Sequence, residues 1–202
     1  MHDIAPLPFY TDGPMLNLPN FLTLIRILTI PFFLVYLAYH RYWEALIIFI
    51  AGGVTDFLDG MTARLMKQET ALGAYLDPVA DKLLVFSSYT MLGLIDAIPT
   101  WLAVGVISRD VLLVLGYATI YFSFGERFEI KPTRIGKSST MLQFLTLGVA
   151  LGLLHDPELL PQWFFWALIV ATAAATLVSG IQYLYRGFVW LQHRAPSMTK
   201  LG

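Results

Sequence analysis

Apolar residues run along this chain in blocks close to the roughly 20 residues a helix needs to cross the hydrocarbon of a bilayer. Blocks bounded by charges or turn residues are Phe21 to Tyr39, Trp43 to Leu65, Leu72 to Ile95, Trp101 to Phe124, Thr140 to Leu154 and Gln162 to Tyr185. The fifth, at about 15 residues, is the shortest. The breaks are His40-Arg41, Lys67-Gln68-Glu69-Thr70, Asp96 with Pro99, Gly125 to Lys137, and His155-Asp156-Pro157-Glu158. The pattern predicts an all-α, polytopic integral membrane protein, a six-transmembrane-helix bundle forming a single domain over residues 1–202. Residues 1–19, with Pro6, Pro8, Pro14 and Pro19, read as an irregular juxtamembrane lead-in. The first twenty residues lack a basic stretch followed by an apolar run, so no cleavable signal peptide is expected.

Composition supports the membrane reading. The 202 residues are 57% hydrophobic and 13% charged, against about 25% charged in a soluble domain, and the mean hydropathy is +0.65. Disorder and a secreted disulfide framework are excluded, and the absence of cysteine removes thiol catalysis and Cys-ligated zinc. Lys plus Arg number 13 and Asp plus Glu 14, so no bulk field recruits polyanions, and no nucleic-acid partner is expected. The distribution of positive charge is uneven, however. Arg64, Lys67, Arg127, Lys131, Arg134, Lys137, Arg186, Arg194 and Lys200 fall on one side of the predicted spans and only Arg41 on the other, which places both termini in the cytoplasm. No internal repeat is visible, so a transporter built from inverted repeats gains no support.

Several charges lie within or at the ends of the spans: Arg26, Lys82 and Arg109, and Asp56, Asp59, Asp77, Asp81 and Asp110. A charge at the bilayer centre costs about 2.5–3.5 kcal/mol even on the lenient insertion scale, so these residues need a polar cavity, partners or a metal. Asp56, Asp59, Gly60 and Ala63 share one face of the second helix, with Arg64 beside them, and Gly73, Asp77 and Asp81 form a stripe on the third. The short connection between the two helices makes them antiparallel neighbours, so four carboxylates converge near one membrane face. Such a group calls for hard divalent cations, and Mg²⁺ or Mn²⁺ fits an all-oxygen set better than Zn²⁺. Small residues on the same faces leave room for a ligand, and Arg64 offers a positive fork to phosphate. Snorkelling helix-end charges would explain neither the shared faces nor the interleaved small residues.

Asp56 to Asp81 reads D-x2-D-G-x2-A-R-x8-G-x3-D-x3-D, and this resembles the signature of the CDP-alcohol phosphotransferases at every fixed position. The likeness extends to Asn17-Leu18-Pro19-Asn20, Leu22-Thr23 with Arg26, Asp77 to Leu84, Arg109-Asp110 and Ile135-Gly136-Lys137. The resemblance implies a homodimeric six-helix enzyme of the bacterial cytoplasmic (inner) membrane, its active site facing the cytoplasm. Its reaction would transfer the phosphatidyl group of CDP-diacylglycerol to an alcohol and release CMP. Carried onto this chain, Asp56, Asp59, Asp77 and Asp81 would hold two divalent metal ions (Mg²⁺ or Mn²⁺), and Asp81 would also accept the acceptor's proton. Asn20, Asp56, Gly60, Ala63, Arg64 and Gly73 would bind the nucleotide and diphosphate, and Arg26, Arg109 and Lys137 the acceptor's phosphate. Glycerol 3-phosphate is the expected acceptor, giving phosphatidylglycerophosphate. A departure points to an alternative: Asp110 stands where the glycerophosphate enzymes usually have Glu, and Tyr117 where they have a second Arg. Together with Lys131-Pro132-Thr133, this resembles the cardiolipin synthases of the same fold, which use phosphatidylglycerol.

A reading from another class is an ion-conducting or transport bundle, since intramembrane carboxylates also mark ion pathways. The acids gather at one end of the spans rather than across them, which favours the enzyme. Arg109 also has a simpler reading, as the partner of Asp110. His2, His40, His155 and His193 lie in tails or loops and read as surface residues, and Trp163, Trp166 and the many Tyr and Phe as interfacial belt and lipid-facing bulk. Gly52 and Gly53 predict close helix packing, and Ala171 to Ala175 with Ser179 and Gly180 a tight helix contact, such as one between protomers.

Overall fold

The computed structural model describes residues 18–66, 71–124 and 133–198. Within these stretches the side chains of 18–20, 22, 56–66, 71–78, 117, 120–124, 190, 191 and 193–198 are not described. The described residues form six helices: α1 (Leu18–Ala38), α2 (Tyr42–Met66), α3 (Ala71–Leu94), α4 (Thr100–Phe124), α5 (Arg134–His155) and α6 (Gln162–Met198). No strand occurs among the described residues. The all-helical class and the first four apolar blocks follow the hydropathy pattern closely, and the last two helices are longer than it suggests.

The contacts divide the chain into two compact units. The first comprises residues 1–91 and 151–157. Here α1 buries Ile30, Phe33 and Leu37, spaced three and four residues apart, and packs on α2, where Ala45 and Phe49 are buried. The Phe33 and Phe49 rings meet with centroids 6.3 Å apart. Pro31 lies within α1 and removes a donor from the helix without ending it. Termination comes at His40, whose φ of 57° opens a left-handed cap: the Arg41 N–H donates to the Tyr36 carbonyl at 2.8 Å, and the His40 N–H to Leu37 at 3.1 Å. Arg41 then pairs with Glu44 in the first turn of α2. His40 and His155 are exposed as expected, His155 with its ring centroid 4.9 Å from that of Trp43. His2 and His193 lie outside the described side chains. Among the described residues nothing comes within 4 Å of a Cβ built on Gly52 or Gly53, so the close packing predicted there is not seen.

The second unit comprises residues 92–150 and 158–202. Asp96 repeats the left-handed cap with φ 56°, as the Ala97 N–H donates to the Leu92 carbonyl at 2.9 Å. Gly93 lies so near α4 that an added Cβ would sit 3.1 Å from that of Ala103. Helix α4 packs on α6, and α5 is joined to α6 by hydroxyl and amide groups. Ser139, Gln143 and Thr146 on α5 face Thr172 and Thr176 on α6, all buried. Partner numbers rise along one helix as they fall along the other, so the pair is antiparallel. Thr146 Oγ1 and Thr172 Oγ1 lie 2.7 Å apart, and Gln143 Nε2 donates to Thr176 Oγ1 at 3.3 Å.

Helix α5 starts at Arg134, not at Thr140, so residues 134–137 belong to the helix rather than to a charged break. Thr133 supplies the physical reason, since its Oγ1 accepts from the Gly136 N–H at 2.8 Å and caps the first turn. Helix α6 runs 37 residues and passes Tyr185, where the apolar block ends. Arg134–His155 and Gln162–Val189 are long and apolar enough to cross a membrane, while the apolar stretches Thr23–Ala38 and Tyr42–Thr55 are shorter. Large apolar side chains are exposed on every helix, among them Phe32, Val54, Phe86, Leu112, Met141 and Leu177. By contrast, Thr23, Ser88, Ser139 and Thr172 and the guanidinium groups of Arg26 and Arg109 are buried.

Candidate active site

Helix α2 continues unbroken through Asp56, Asp59, Gly60, Ala63 and Arg64, and α3 through Gly73, Asp77 and Asp81. The backbone therefore sets Asp56, Asp59, Gly60 and Ala63 on one face of α2, at spacings of three and four, and Gly73, Asp77 and Asp81 on one stripe of α3. Of these residues Asp81 alone has a described side chain, and it is half-buried. The side chains of Asp56, Asp59, Gly60, Ala63, Arg64, Gly73 and Asp77, like that of Asn20, lie outside the described residues. Among the described residues no cluster of three acids or histidines occurs. The donor set that these two helices carry is all carboxylate, which suits hard divalent cations bound through oxygen.

Two of the basic candidates belong to the same unit as these acids. Arg26 is 5% exposed, on the α1 stripe that also buries Thr23, Ile30 and Phe33. Its carbonyl accepts from Thr29 Oγ1 at 2.8 Å. Lys82 is half-buried on α3, next to Asp81 in sequence and about 100° away around the helix.

The other basic candidates, Arg109 and Lys137, lie in the second unit. Arg109 is 7% exposed, and its surroundings are almost fully specified. Nη1 donates to Asp110 Oδ1 at 2.6 Å and Nη2 to Ser179 Oγ at 2.6 Å. The guanidinium carbon lies 5.7 Å from the centroid of the Tyr183 ring, within cation–π range. Gly180 completes the fit, as an added Cβ would stand 3.5 Å from Arg109 Cγ. The Arg109 Nε is buried with no hydrogen-bond partner among the described residues. Lys137 is exposed in the first turn of α5, its N–H donating to the Thr133 carbonyl at 3.1 Å.

Tyr183 links the two. A Cβ added to Gly136 would fall 3.0 Å from the Tyr183 hydroxyl and 3.1 Å from Thr133 Oγ1. Tyr183 thus touches Arg109 with its ring face and the turn that carries Lys137 with its hydroxyl end. Sequence does not single out Ser179 and Tyr183 as Arg109 neighbours, nor Thr133 as the cap of α5. The small-residue run with Ser179 and Gly180 predicts a tight helix contact, and these two residues make one with Arg109 of α4. The available signal is the polar spacing Thr172, Thr176, Ser179, Tyr183, which marks one stripe of α6.

Comparison with known proteins gives a consistent result. The family model described as CDP-alcohol phosphatidyltransferase matches residues 16–178. A protein of Haemophilus influenzae is 38% identical over 176 residues, covering 83% of this chain and 91% of its own length. One from Sodalis glossinidius is 33% identical over 177 residues, with coverages of 84% and 94%, and one from Shigella flexneri is 34% identical over 175, with 83% and 93%. All three are named CDP-diacylglycerol--glycerol-3-phosphate 3-phosphatidyltransferase.

Proposed function

This chain belongs to the CDP-alcohol phosphatidyltransferase family, and on that premise we propose that it transfers the phosphatidyl group of CDP-diacylglycerol to glycerol 3-phosphate, giving phosphatidylglycerophosphate and CMP. The observation that carries the reading is the full acidic signature on α2 and α3, set within a match that covers most of this chain and of its relatives. The relatives' names favour glycerol 3-phosphate over phosphatidylglycerol, and a transferase over an ion-conducting bundle.

The acceptor's free hydroxyl oxygen attacks the lipid-side phosphorus. The bond from that phosphorus to the bridging oxygen breaks, and CMP leaves with the oxygen. The hydroxyl proton passes to the Asp81 carboxylate, which sits one turn beyond Asp77 on α3. When bound to Asp56, Asp59, Asp77 and Asp81, two divalent cations (Mg²⁺ or Mn²⁺) neutralise charge on the transferring group. Asn20, Gly60, Ala63, Arg64 and Gly73 receive the nucleotide and diphosphate. Arg109 and Lys137 receive the acceptor's phosphate, with Arg26 contributing positive charge from α1. Residues 1–202 act as one catalytic domain, a reading supported by a family match that runs through both compact units.

The setting is a bacterial cytoplasmic (inner) membrane crossed by all six helices, with both termini and the active site on the cytoplasmic side and the enzyme a homodimer. Two apolar helices of spanning length, exposed apolar side chains and the one-sided Lys and Arg distribution support this. The test is an acceptor panel. Purified chain in detergent with CDP-diacylglycerol and Mg²⁺ or Mn²⁺ is given glycerol 3-phosphate or phosphatidylglycerol, and CMP and lipid products are read by mass spectrometry. Phosphatidylglycerophosphate with glycerol 3-phosphate is expected; cardiolipin from phosphatidylglycerol with no turnover of glycerol 3-phosphate would overturn the assignment.

A further inference from the structure

We propose that Ser179 and Tyr183 of α6 are positioning residues, which hold the Arg109 guanidinium and the first turn of α5 in the arrangement that receives the acceptor's phosphate. The inference rests on the acceptor-site reading of Arg109 and Lys137, and deepens it by assigning work to a helix that carries none of the signature acids. Both residues also lie beyond the family match, which ends at residue 178.

An arginine side chain has large rotamer freedom, and phosphate recognition requires its planar fork in one orientation. At Arg109 that orientation is already set. Asp110 holds Nη1, Ser179 holds Nη2, and the Tyr183 ring covers one face. Among the described residues each terminal nitrogen keeps a second hydrogen that is unused, and the buried Nε–H has no partner. A buried donor without an acceptor is destabilising, so the protein maintains a guanidinium that is fixed and still short of acceptors. A phosphate oxygen is the chemistry that completes it.

Tyr183 extends the arrangement to α5. Its hydroxyl end lies against Gly136, beside the Thr133 cap, so the stripe that orients Arg109 also sets the position of the turn bearing Lys137. Asp110 alone would neutralise Arg109 without orienting it toward α5. The α6 pair supplies that direction: one hydrogen bond across α4–α6 and one aromatic surface shared by Arg109 and Gly136.

The experiment measures kcat and both KM values for the full chain in detergent, with CDP-diacylglycerol and glycerol 3-phosphate varied in turn. Ser179→Ala and Tyr183→Leu are expected to raise KM for glycerol 3-phosphate about tenfold each, the effect of losing one charge-assisted contact, with KM for CDP-diacylglycerol within about twofold of the parent. Tyr183→Phe keeps the ring face and is expected to stay within about threefold. In an Arg109→Gln background, Tyr183→Leu should add less than about twofold, because the group it positions is gone. Full additivity in that background, or a fall in kcat with both KM values unchanged, would overturn the positioning role. Arg109→Gln tested alone separates the two levels: a parent-like KM for glycerol 3-phosphate would remove Arg109 from the acceptor site and the inference with it. Ser179→Ala deletes a single oxygen and decides the question even where Tyr183→Leu does not fold.

Discussion

Asp81 is half-buried on α3, one turn beyond Asp77 and three turns from the buried Leu92 at the far end of the helix. Its proposed task is to remove a proton, and an amide cannot do so. Asp81→Asn is therefore expected to lower kcat by about 100-fold or more, while affinity for CDP-diacylglycerol stays near the parent's; steady-state kinetics beside nucleotide-lipid binding check the split. Gly136 presents a steric question instead. A methyl group there would meet the Tyr183 hydroxyl at 3.0 Å and the capping Thr133 Oγ1 at 3.1 Å, and neither can yield without disturbing Arg109 or the helix start. Gly136→Ala is expected to cost about 1–3 kcal/mol by overpacking and to raise KM for glycerol 3-phosphate several-fold, read in the same assay. These two residues differ in how visible they are. Asp81 is legible from sequence because its spacing from Asp77, Asp59 and Asp56 is itself the signal. The demand for glycine at 136 arises from a tyrosine 47 positions away in sequence, which no local pattern reveals.

At the scale of the helix, the same polar residues that suggest a break can continue the element. Arg134, Lys137, Ser138, Ser139 and Thr140 lower the apolar count before Met141, so a hydropathy window places the start of α5 too late. In the fold, Ser138 Oγ and Thr140 Oγ1 donate back to the carbonyls of Arg134 and Gly136 at 3.1 and 3.3 Å, and Ser139 turns to Thr176. The polarity is satisfied within the element or across to α6, so helix continues. Thr176 sits at the centre of that α5–α6 seam, near Ser139 Oγ and accepting from Gln143 Nε2, each at 3.3 Å. Thr176→Val keeps the shape and removes both links, and should lower stability by about 0.6–2 kcal/mol, seen as an earlier thermal transition in detergent. The helix ends give a prediction of opposite sign. Asp96 closes α3 with φ 56°, a conformation glycine adopts without strain, so Asp96→Gly is expected to stabilise the chain by about 0.5–1 kcal/mol in the same melt.

For the whole molecule, the four signature carboxylates and their proposed cations tie activity to metal supply. EDTA should silence turnover, and Mg²⁺ or Mn²⁺ should restore it while Ca²⁺, which prefers more ligands at longer range, should restore less. CMP release before and after re-addition is the check. The all-helical class was legible because apolar blocks of helix length dominate the chain; the division into two compact units was not, because it depends on which helices meet rather than on where each begins. The distribution of side chains reaches further. Leu177 and Ile181 stand 66% and 65% exposed on α6 while Thr172, Thr176 and Ser179 on the same helix are at most 3% exposed. In a soluble protein, tolerance to change rises from the greasy interior to the polar surface. Between the outer face of α6 and its seam the gradient runs the other way: trimming Leu177 to alanine removes bulk from an outward face, whereas exchanging a seam hydroxyl for a hydrocarbon leaves a partner stranded inside. A library of random variants along α6 should accordingly recover its survivors at outward leucines such as Leu177 and its casualties at Thr172, Thr176 and Ser179.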